Sequence, residues 1–248
     1  MAQLTATLPG RVLVTGAAGG IGLAVAEALI AAGVSVIGSD RRERPEGIAC
    51  DWIAADVATP AGRAAIAEAA GSIDGLVLTA GIIDAKGWAE SDEAEAERIL
   101  AVNLLAPFFL VRALDRLIAD AGAIVVIGSI AATRGSPLTP IYAASKAGLH
   151  NLSASLALAL APRGIRVNVV APGLIDTPLT DALNDRLAGI KGLSVDEIGR
   201  ERVAGIPMGR MGTSREVADA VLHLLSDGAR YTTGATLYPT GGVMAGAI

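Results

Sequence analysis

The amino-acid sequence predicts an α/β protein with a single domain, built on a doubly wound parallel sheet of seven strands with helices on both faces. Short Val- and Ile-rich runs alternate with longer Ala- and Leu-rich amphipathic stretches, which is the pattern of repeated βαβ units. Hydrophobic residues make up 52% of the chain and aromatic residues only 3%, so Ala, Leu, Val and Ile carry the apolar content. No internal repeat or Ser/Pro-rich linker divides the 248 residues, so we expect one domain over residues 1–248.

The predicted strands are the short apolar runs in this pattern, and helical periodicity fills most of the intervals between them. These strands lie at residues 11–15, 34–39, 52–55, 75–79, 123–128, 166–171 and 235–238. One interval, residues 174–213, departs from the alternation because it mixes Pro, Gly and amphipathic pieces. Insertions of this length in a compact domain usually have a function. We therefore predict a lid that covers the substrate, with an inert surface excursion as the alternative.

The composition argues against several classes of protein. The net charge of −5 disfavours a nucleic-acid partner. A single cysteine, Cys50, and two isolated histidines, His150 and His223, make a poor metal site, so no metal is expected. The mean hydropathy is +0.53, but the longest charge-free helical stretch, residues 147–162, is too short and too polar to span a bilayer. Residues 1–11 lack the pattern of a secretory signal, so we expect a cytoplasmic protein with no membrane association.

A glycine-rich segment follows the first predicted strand directly. Residues 15–22 read Thr-Gly-Ala-Ala-Gly-Gly-Ile-Gly and lead into a predicted helix over residues 23–32. Gly16, Gly20 and Gly22 stand where the backbone turns sharply and a helix N-terminus faces outward, although their spacing differs from the general G-x-G-x-x-G pattern. Because helix N-termini attract anions, the segment predicts a site for the pyrophosphate of a dinucleotide.

Asp40 lies at the end of the second predicted strand, eighteen residues after Gly22. A carboxylate in this position accepts hydrogen bonds from the ribose 2′-OH of NAD and repels the 2′-phosphate of NADP. Arg41 and Arg42 follow at once and favour the opposite choice, since arginine is the residue that holds the 2′-phosphate. We expect NAD as the cofactor and keep NADP as the alternative. Asp56 is interpreted either as an adenine ligand or as a cap of the next helix.

A catalytic arrangement is indicated by Tyr142 and Lys146, which are four residues apart on one face of a predicted helix over residues 141–160. Ser129 ends the apolar fifth strand at the sheet edge where α/β proteins bind ligands. Bringing a phenol from a pKa of about 10 to about 7 takes about 4 kcal/mol. An ammonium at about 4 Å in an effective dielectric of about 20 supplies a similar amount. We therefore expect Lys146 to lower the pKa of Tyr142, and Ser129 to polarise a substrate oxygen.

Together these motifs resemble the short-chain dehydrogenase/reductase family over residues 11–242. The family pattern Thr-Gly-x-x-x-Gly-x-Gly is matched by residues 15–22, and Tyr-x-x-x-Lys by Tyr142 and Lys146. Ser129 matches the family's active-site serine, and Asn103 matches the asparagine that holds a water in its proton relay. The resemblance implies a Rossmann fold and an NAD-dependent oxidoreductase that transfers a hydride between nicotinamide and a secondary alcohol or ketone. The implied catalytic residues are Asn103, Ser129, Tyr142 and Lys146.

The resemblance also implies a set of cofactor contacts. Asp56 and Val57 match the adenine-binding pair, while Ile175 and Thr177 match residues that contact the nicotinamide carboxamide. Thr79 stands where the family commonly has Asn before Ala-Gly, and we expect changed local bonding there without loss of the cofactor. The usual Asp-Gly-Gly near the C-terminus reads Thr-Gly-Gly at residues 240–242. The implied cofactor-binding residues are Gly16, Gly20, Ile21, Gly22, Asp40, Asp56, Val57, Ala80, Gly81, Tyr142, Lys146, Gly173, Ile175 and Thr177.

Two alternatives remain beside the dehydrogenase: a non-catalytic NAD(H)-binding sensor on the same fold, and an NADP-dependent 3-oxoacyl-carrier-protein reductase.

The predicted helix over residues 141–160 is apolar nearly all round, and family members are commonly tetramers, so we predict a homotetramer. The predicted partner is a small alcohol or ketone. We interpret His150 as structural. The expected apolar pocket wall comprises Ile82, Trp88, Ile130, residues 137–139, Leu179, Leu183 and Leu187.

Overall fold

The computed structural model describes residues 6–83 and 86–245, and its centre is a parallel sheet of seven strands. These are β1 (Arg11–Thr15), β2 (Ser35–Asp40), β3 (Asp51–Ala54), β4 (Ile73–Leu78), β5 (Ile118–Ile127), β6 (Arg166–Val170) and, after two short strands outside the sheet, β9 (Thr236–Leu237). The order across the sheet is β3-β2-β1-β4-β5-β6-β9. All seven predicted strands are present, so the predicted fold class is confirmed. Residues 1–5, which belong to the stretch predicted to lack a secretory signal, lie outside the described residues.

Helices fill the intervals between the strands, as the periodicity predicts. They are α1 (Gly20–Ala31), α2 (Pro60–Ala70), α3 (Glu93–Leu100), α4 (Ala106–Leu114), α5 (Pro140–Leu160), α6 (Pro178–Lys191), α7 (Val195–Ala204) and α8 (Ser214–Leu225). A π-helical turn, Ala101–Leu105, joins α3 to α4, and short 3₁₀ turns lie at Ile130–Thr133, Ala161–Arg163 and Asp227–Ala229. In the part of the chain that the structure describes, no helix is long and apolar enough to cross a membrane.

Two apolar cores lie on opposite faces of the sheet. On one face, α1 and α8 pack against the strands through residues such as Leu29 and Val221. On the other face, α4 and α5 do so through residues such as Leu110 and Leu149. Both faces of the central strands are therefore buried, which explains why these strands read as continuous apolar runs.

The order of the strands reverses between β1 and β4. The chain first builds β1, β2 and β3 towards one edge, and then returns to place β4 on the other side of β1. In open α/β sheets, ligands bind beyond the carboxyl ends of the strands at such a reversal. The glycine-rich segment after β1 and Ser129 after β5 both lie at this edge.

The predicted and observed strand bounds differ most at the start of β5. The strand begins at Ile118, five residues before the predicted start, and Ile118 pairs with Ile73. The register then shifts, and Ala121 takes a positive φ of 61°. Pairing resumes at Ala123 opposite Gly75. Residues 119–122, Ala-Asp-Ala-Gly, form this bulge, and they separate Ile118 from the apolar run that the sequence pattern detects.

The predicted lid is a helical excursion closed at its base by the two short strands outside the main sheet. β7 (Ile175–Asp176) pairs in parallel with β8 (Gly212–Thr213), so the segment leaves and rejoins the domain at one place. Helices α6 and α7 share a small apolar core of Leu187, Ala188 and Ile198, with Leu183 packed against it. Leu183 and Leu187, both predicted for the pocket wall, thus contribute to the packing between α6 and α7.

Candidate active site

The glycine-rich segment packs tightly against the end of β4. Gly16 has a φ of 68°, and a Cβ on it would lie 2.8 Å from the backbone nitrogen of Ala80. A Cβ on Gly22 would lie 2.2 Å from the carbonyl oxygen of Gly16. The Thr79 hydroxyl donates a hydrogen bond to the Thr15 carbonyl oxygen between these two glycines. Threonine thus fills the place where the family commonly has Asn, with a bond of its own.

The N-terminus of α1 suits an anionic group. Helix α1 spans 12 residues, and among the described residues no side chain caps its first turn. Side-chain oxygens accept from the first-turn N–H groups at the starts of α2, α3, α6, α7 and α8, whereas in the described part of the chain α4 and α5 lack such a cap, as α1 does. The free N–H groups and the helix dipole of α1 therefore fit the pyrophosphate of a dinucleotide, beside Gly20 and Ile21.

Asp40 and Arg42 form an ion pair beside this helix. Arg42 Nε lies 3.1 Å from Asp40 Oδ1, and Nη2 lies 3.1 Å from Oδ2. The backbone N–H groups of Ala18 and Arg42 also donate to the carboxylate. Burial raises the pKa of Asp40, but these bonds outweigh it, so the pKa lies below its usual value. Arg42 Nη1 lies 3.4 Å from where a Cβ of Gly19 would be, so the guanidinium borders the glycine-rich segment.

The predicted adenine residues Asp56 and Val57 follow β3, and the predicted nicotinamide residues Ile175 and Thr177 precede α6. Thr177 caps the start of α6, and its methyl carbon lies 3.7 Å from where a Cβ of Gly20 would be. Ile175 is buried, and its carbonyl oxygen accepts from the Thr180 hydroxyl. Val57 is buried, whereas Asp56 is exposed and accepts from the N–H of Ala58. Thr59, not Asp56, caps α2, so the capping interpretation of the Asp56 side chain is wrong.

Lys146 is buried below the predicted catalytic edge. It lies on α5, only 4% exposed, and its Nζ donates to the carbonyl oxygen of Ile127 at 2.9 Å. Burial lowers the pKa of Lys146 to about 8. The Nζ atom lies 5.9 Å from the ring centre of Tyr142 and 3.6 Å from where a Cβ of Gly81 would be. The ammonium therefore lies between Tyr142 and the segment that follows β4.

The pKa of Tyr142 differs from the sequence-based expectation. Burial raises the pKa of Tyr142 above its usual value, and a hydrogen bond with Ser129 lowers it by less. The expected net lowering by Lys146 is therefore wrong for this structure. The physical reason is that removing the phenolate from water costs more than the Ser129 hydrogen bond returns. The Ser129 hydroxyl nevertheless lies close enough to the Tyr142 hydroxyl to affect its pKa, so the two predicted catalytic side chains are neighbours.

Asn103 is fully buried in the π-helical turn between α3 and α4. Its Oδ1 accepts from the Ile82 N–H at 2.9 Å, and its Nδ2 donates to the Ile82 carbonyl at 2.9 Å. Nδ2 also donates to the Ser145 hydroxyl on α5 at 3.1 Å. Asn103 thus ties the segment after β4 to the helix of Tyr142. Such π turns inside helices occur frequently at functional sites.

His150 belongs to this group of residues, although its sequence position alone suggested only a structural role. Its Nε2 accepts a hydrogen bond from the backbone N–H of Ser129 at 3.3 Å. Burial, with a smaller effect of the Lys146 charge, lowers the pKa of His150 to about 4. The signal in the sequence was its spacing, since His150 is four residues beyond Lys146 and lies on the same side of α5.

Two further expectations concern the pocket wall and metal ions. Trp88 is 82% exposed, so it does not pack against the site, and its assignment as a pocket wall is wrong for this structure. Leu138, from the loop before α5, packs against the shared core of α6 and α7 and so connects the predicted lid to α5. Within residues 6–83 and 86–245, no cluster of three or more His, Cys, Asp or Glu side chains is suited to a metal ion.

Known proteins resemble this chain along almost its whole length. The family model described as Enoyl-(Acyl carrier protein) reductase matches residues 16–244. The 3-oxoacyl-[acyl-carrier-protein] reductase FabG of Salmonella typhimurium is 40% identical over 245 residues, covering 93% of this chain and 96% of that relative.

Solved structures agree with the fold. A short chain dehydrogenase family protein from Francisella tularensis superposes with a TM-score of 0.90 at 30% identity, covering 95% of this chain and 99% of its own. A single-residue variant of actinorhodin polyketide ketoreductase with NADPH superposes with a TM-score of 0.85 at 31% identity, covering 95% of this chain and 97% of its own.

Proposed function

This chain belongs to the short-chain dehydrogenase/reductase family, and from that premise we propose that it transfers a hydride between NAD and a secondary alcohol or ketone with Tyr142 as the acid/base. It is an oxidoreductase that uses a nicotinamide cofactor and acts on hydroxyl or keto groups. The observation that carries the proposal is the meeting of Ser129 and Tyr142, with Lys146 buried beside them. A cofactor sensor has no need of this set, which disfavours the sensor alternative.

In carbonyl reduction, the Tyr142 hydroxyl donates its proton to the substrate oxygen, and the Ser129 hydroxyl donates a hydrogen bond to the same oxygen. The bound nicotinamide would supply the hydride in this direction and accept it in the other. In alcohol oxidation, the Tyr142 phenolate takes the proton from the substrate hydroxyl. The raised pKa of Tyr142 in the free protein favours its protonated form, and hence a proton donor, before the cofactor binds.

The residues present fit a dinucleotide cofactor. The uncapped N-terminus of α1 would hold the pyrophosphate, with Gly16, Gly20 and Ile21 alongside. Asp40 would hold the adenine ribose, and Lys146 the nicotinamide ribose. Asp56 and Val57 would border the adenine. The nicotinamide end would be bordered by Ala80, Gly81, Gly173, Ile175 and Thr177.

The choice of NAD rests on Asp40, because a carboxylate at the end of β2 repels a 2′-phosphate. A second candidate function, NADP-dependent reduction of 3-oxoacyl thioesters, is favoured by three observations. The FabG relative is a 3-oxoacyl-[acyl-carrier-protein] reductase, and the polyketide ketoreductase was solved with NADPH. The ion pair with Arg42 also neutralises the Asp40 carboxylate that would reject NADP.

Titration of the purified protein with NADH and with NADPH, followed by fluorescence, separates the two candidates. NADH binding at least ten times tighter, with turnover of secondary alcohols and NAD, supports the first proposal. Tighter NADPH binding, with reduction of acetoacetyl-coenzyme A as a 3-oxoacyl thioester, supports the second. Cofactor binding without turnover by either route would contradict both and restore the sensor.

Residues 174–213 would act as a substrate lid within a single domain. The paired β7 and β8 provide a common base for α6 and α7, and Leu138 connects their core to the loop before the Tyr142 helix. Closure of such a segment excludes water from the reacting atoms. Limited proteolysis tests the proposal, since NADH together with a substrate analogue should slow cleavage within residues 178–204. Unchanged cleavage under saturation would contradict the lid.

A further inference from the structure

His150 accepts a hydrogen bond from a backbone N–H group at the end of β5, that of Ser129, for which no neighbouring strand that the structure describes provides an acceptor. Gly128 and Ile130, on either side of Ser129, donate their N–H groups to the carbonyl oxygens of Val170 and Pro172. Because neighbouring residues of an extended chain direct their N–H groups to opposite sides, the Ser129 N–H points towards the side of β4. Strand β4 pairs with β5 only as far as Leu78 opposite Val126. Beyond that point, the edge of β5 needs other partners.

Helix α5 supplies these partners from two side chains one turn apart. Lys146 Nζ donates to the Ile127 carbonyl oxygen at 2.9 Å, and His150 Nε2 accepts from the Ser129 N–H at 3.3 Å. One side chain is a pure donor and the other acts as an acceptor, as the two backbone groups require. Gly128 makes room for the imidazole, since a Cβ on it would lie 2.1 Å from His150 Nε2.

Acceptance at Nε2 requires a neutral imidazole that carries its proton on Nδ1. The depressed pKa of His150, which follows from burial and from the Lys146 charge, agrees with this form at neutral pH. Protonation would convert the acceptor into a donor facing another donor.

We propose that His150 is a positioning residue for the reaction, holding the Ser129 backbone so that the Ser129 hydroxyl faces Tyr142. Ser129 has an extended backbone with φ of −168° and ψ of 152°, and its Oγ accepts from the Ala131 N–H at 3.1 Å. Ser129 is thus held to α5 by the His150 contact, and its hydroxyl lies close enough to Tyr142 to affect the pKa of the phenol. This inference rests on the proposed function, because it assigns Ser129 to catalysis.

The test compares His150→Gln, whose side-chain amide oxygen can still accept the Ser129 N–H, with His150→Leu, which has similar bulk and no acceptor. We expect His150→Leu to lower kcat at least tenfold with less than a twofold change in the KM for the cofactor. His150→Gln should retain kcat within threefold of the parent. Equal losses in the two variants, or an unchanged kcat in His150→Leu, would overturn the proposal.

Two controls separate positioning from general loss of structure. His223→Gln changes an exposed histidine on α8, and Leu149→Val changes a buried neighbour of His150 on α5. Both should leave kcat within twofold. If His150→Leu fails to fold, His150→Asn replaces it, because its shorter amide falls short of the Ser129 N–H.

A second readout does not depend on turnover. Hydrogen–deuterium exchange of a peptide containing Ser129, measured by mass spectrometry on the parent and each variant, should speed up at least tenfold at one amide in His150→Leu and remain slow in His150→Gln. Exchange that is equally slow in both variants would contradict the contact. A parent that binds cofactor without turnover would contradict the proposed function while leaving the exchange result to decide the contact itself.

Discussion

The guanidinium of Arg42 meets the carboxylate of Asp40 at two points, with Nε–Oδ1 and Nη2–Oδ2 distances of 3.1 Å each. The Asp40 side chain is 8% exposed, whereas that of Arg42 is 61% exposed. The largely exposed Arg42 side chain can change its rotamer, while the buried Asp40 carboxylate keeps its hydrogen bonds from the Ala18 and Arg42 backbone N–H groups. Arg42 is therefore placed to turn from Asp40 towards a bound ribose.

We expect Arg42→Ala to weaken NADPH binding about tenfold, equivalent to about 1.4 kcal/mol, and to change NADH binding less than threefold. The reason is that the variant leaves the Asp40 carboxylate uncompensated beside the 2′-phosphate. Fluorescence titrations with both cofactors measure this difference. Arg41→Ala is the matched control and should alter neither affinity. An equal loss for NADH and NADPH would show that Arg42 does not discriminate between them.

We expect Tyr142→Phe to lower kcat by at least about 100-fold while NADH binding stays within twofold, because the variant loses only the proton-transferring hydroxyl. Turnover and NADH titration measured on one preparation check both parts. Lys146→Ala should impair turnover and cofactor binding together, since its ammonium lies between Tyr142 and the proposed ribose site. Substantial residual turnover in Tyr142→Phe would reject Tyr142 as the acid/base.

Stability should depend on pH through His150. Its pKa is about 4 in the folded protein, against about 6.5 for an unperturbed histidine. The folded state binds fewer protons than the unfolded chain between these values, so stability is lost as the pH falls from about 6.5 towards 4. With allowance for the partly exposed ring, we expect about 1–2 kcal/mol.

Urea unfolding at pH 7 and pH 4.5 measures this contribution in the parent, in His150→Gln and in His223→Gln. The loss on acidification should be smaller in His150→Gln by the stated amount, and unchanged in His223→Gln, whose ring is exposed. Identical losses in all three proteins would mean that His150 is not held neutral in the fold.

The predicted homotetramer has a candidate surface on α4 and α5. Leu158 is 80% exposed, while Phe108 and Phe109 are each 37% exposed. Because exposed apolar side chains of this size gain most from burial against another subunit, we expect light scattering at micromolar concentration to report four chains. Leu158→Glu should yield smaller species, and Ile190→Glu on the lid should not. A monomeric parent would contradict the prediction.

The sequence by itself determined the fold class and most of the candidate site. Its alternation of β-branched and Ala-rich segments located every strand of the main sheet, because each βαβ unit is a local pattern with a local period. Gly16, Gly22 and Asp40 were found because a sharp turn and a strand end leave residue-type signatures. Tyr142 and Lys146 were found because helical spacing alone places them on one face.

Only the tertiary structure decided which groups satisfy one another. Three features depend on the assembled fold. They are the ion pair of Asp40 with Arg42, the hydrogen bond from the Ser129 N–H to His150, and the packing of Leu187 in the core of α6 and α7. The upward shift in the Tyr142 pKa likewise comes from burial in the folded chain. Hydrogen bonds and desolvation depend on distances between segments that are far apart in the sequence. Those distances are set only when the chain has folded.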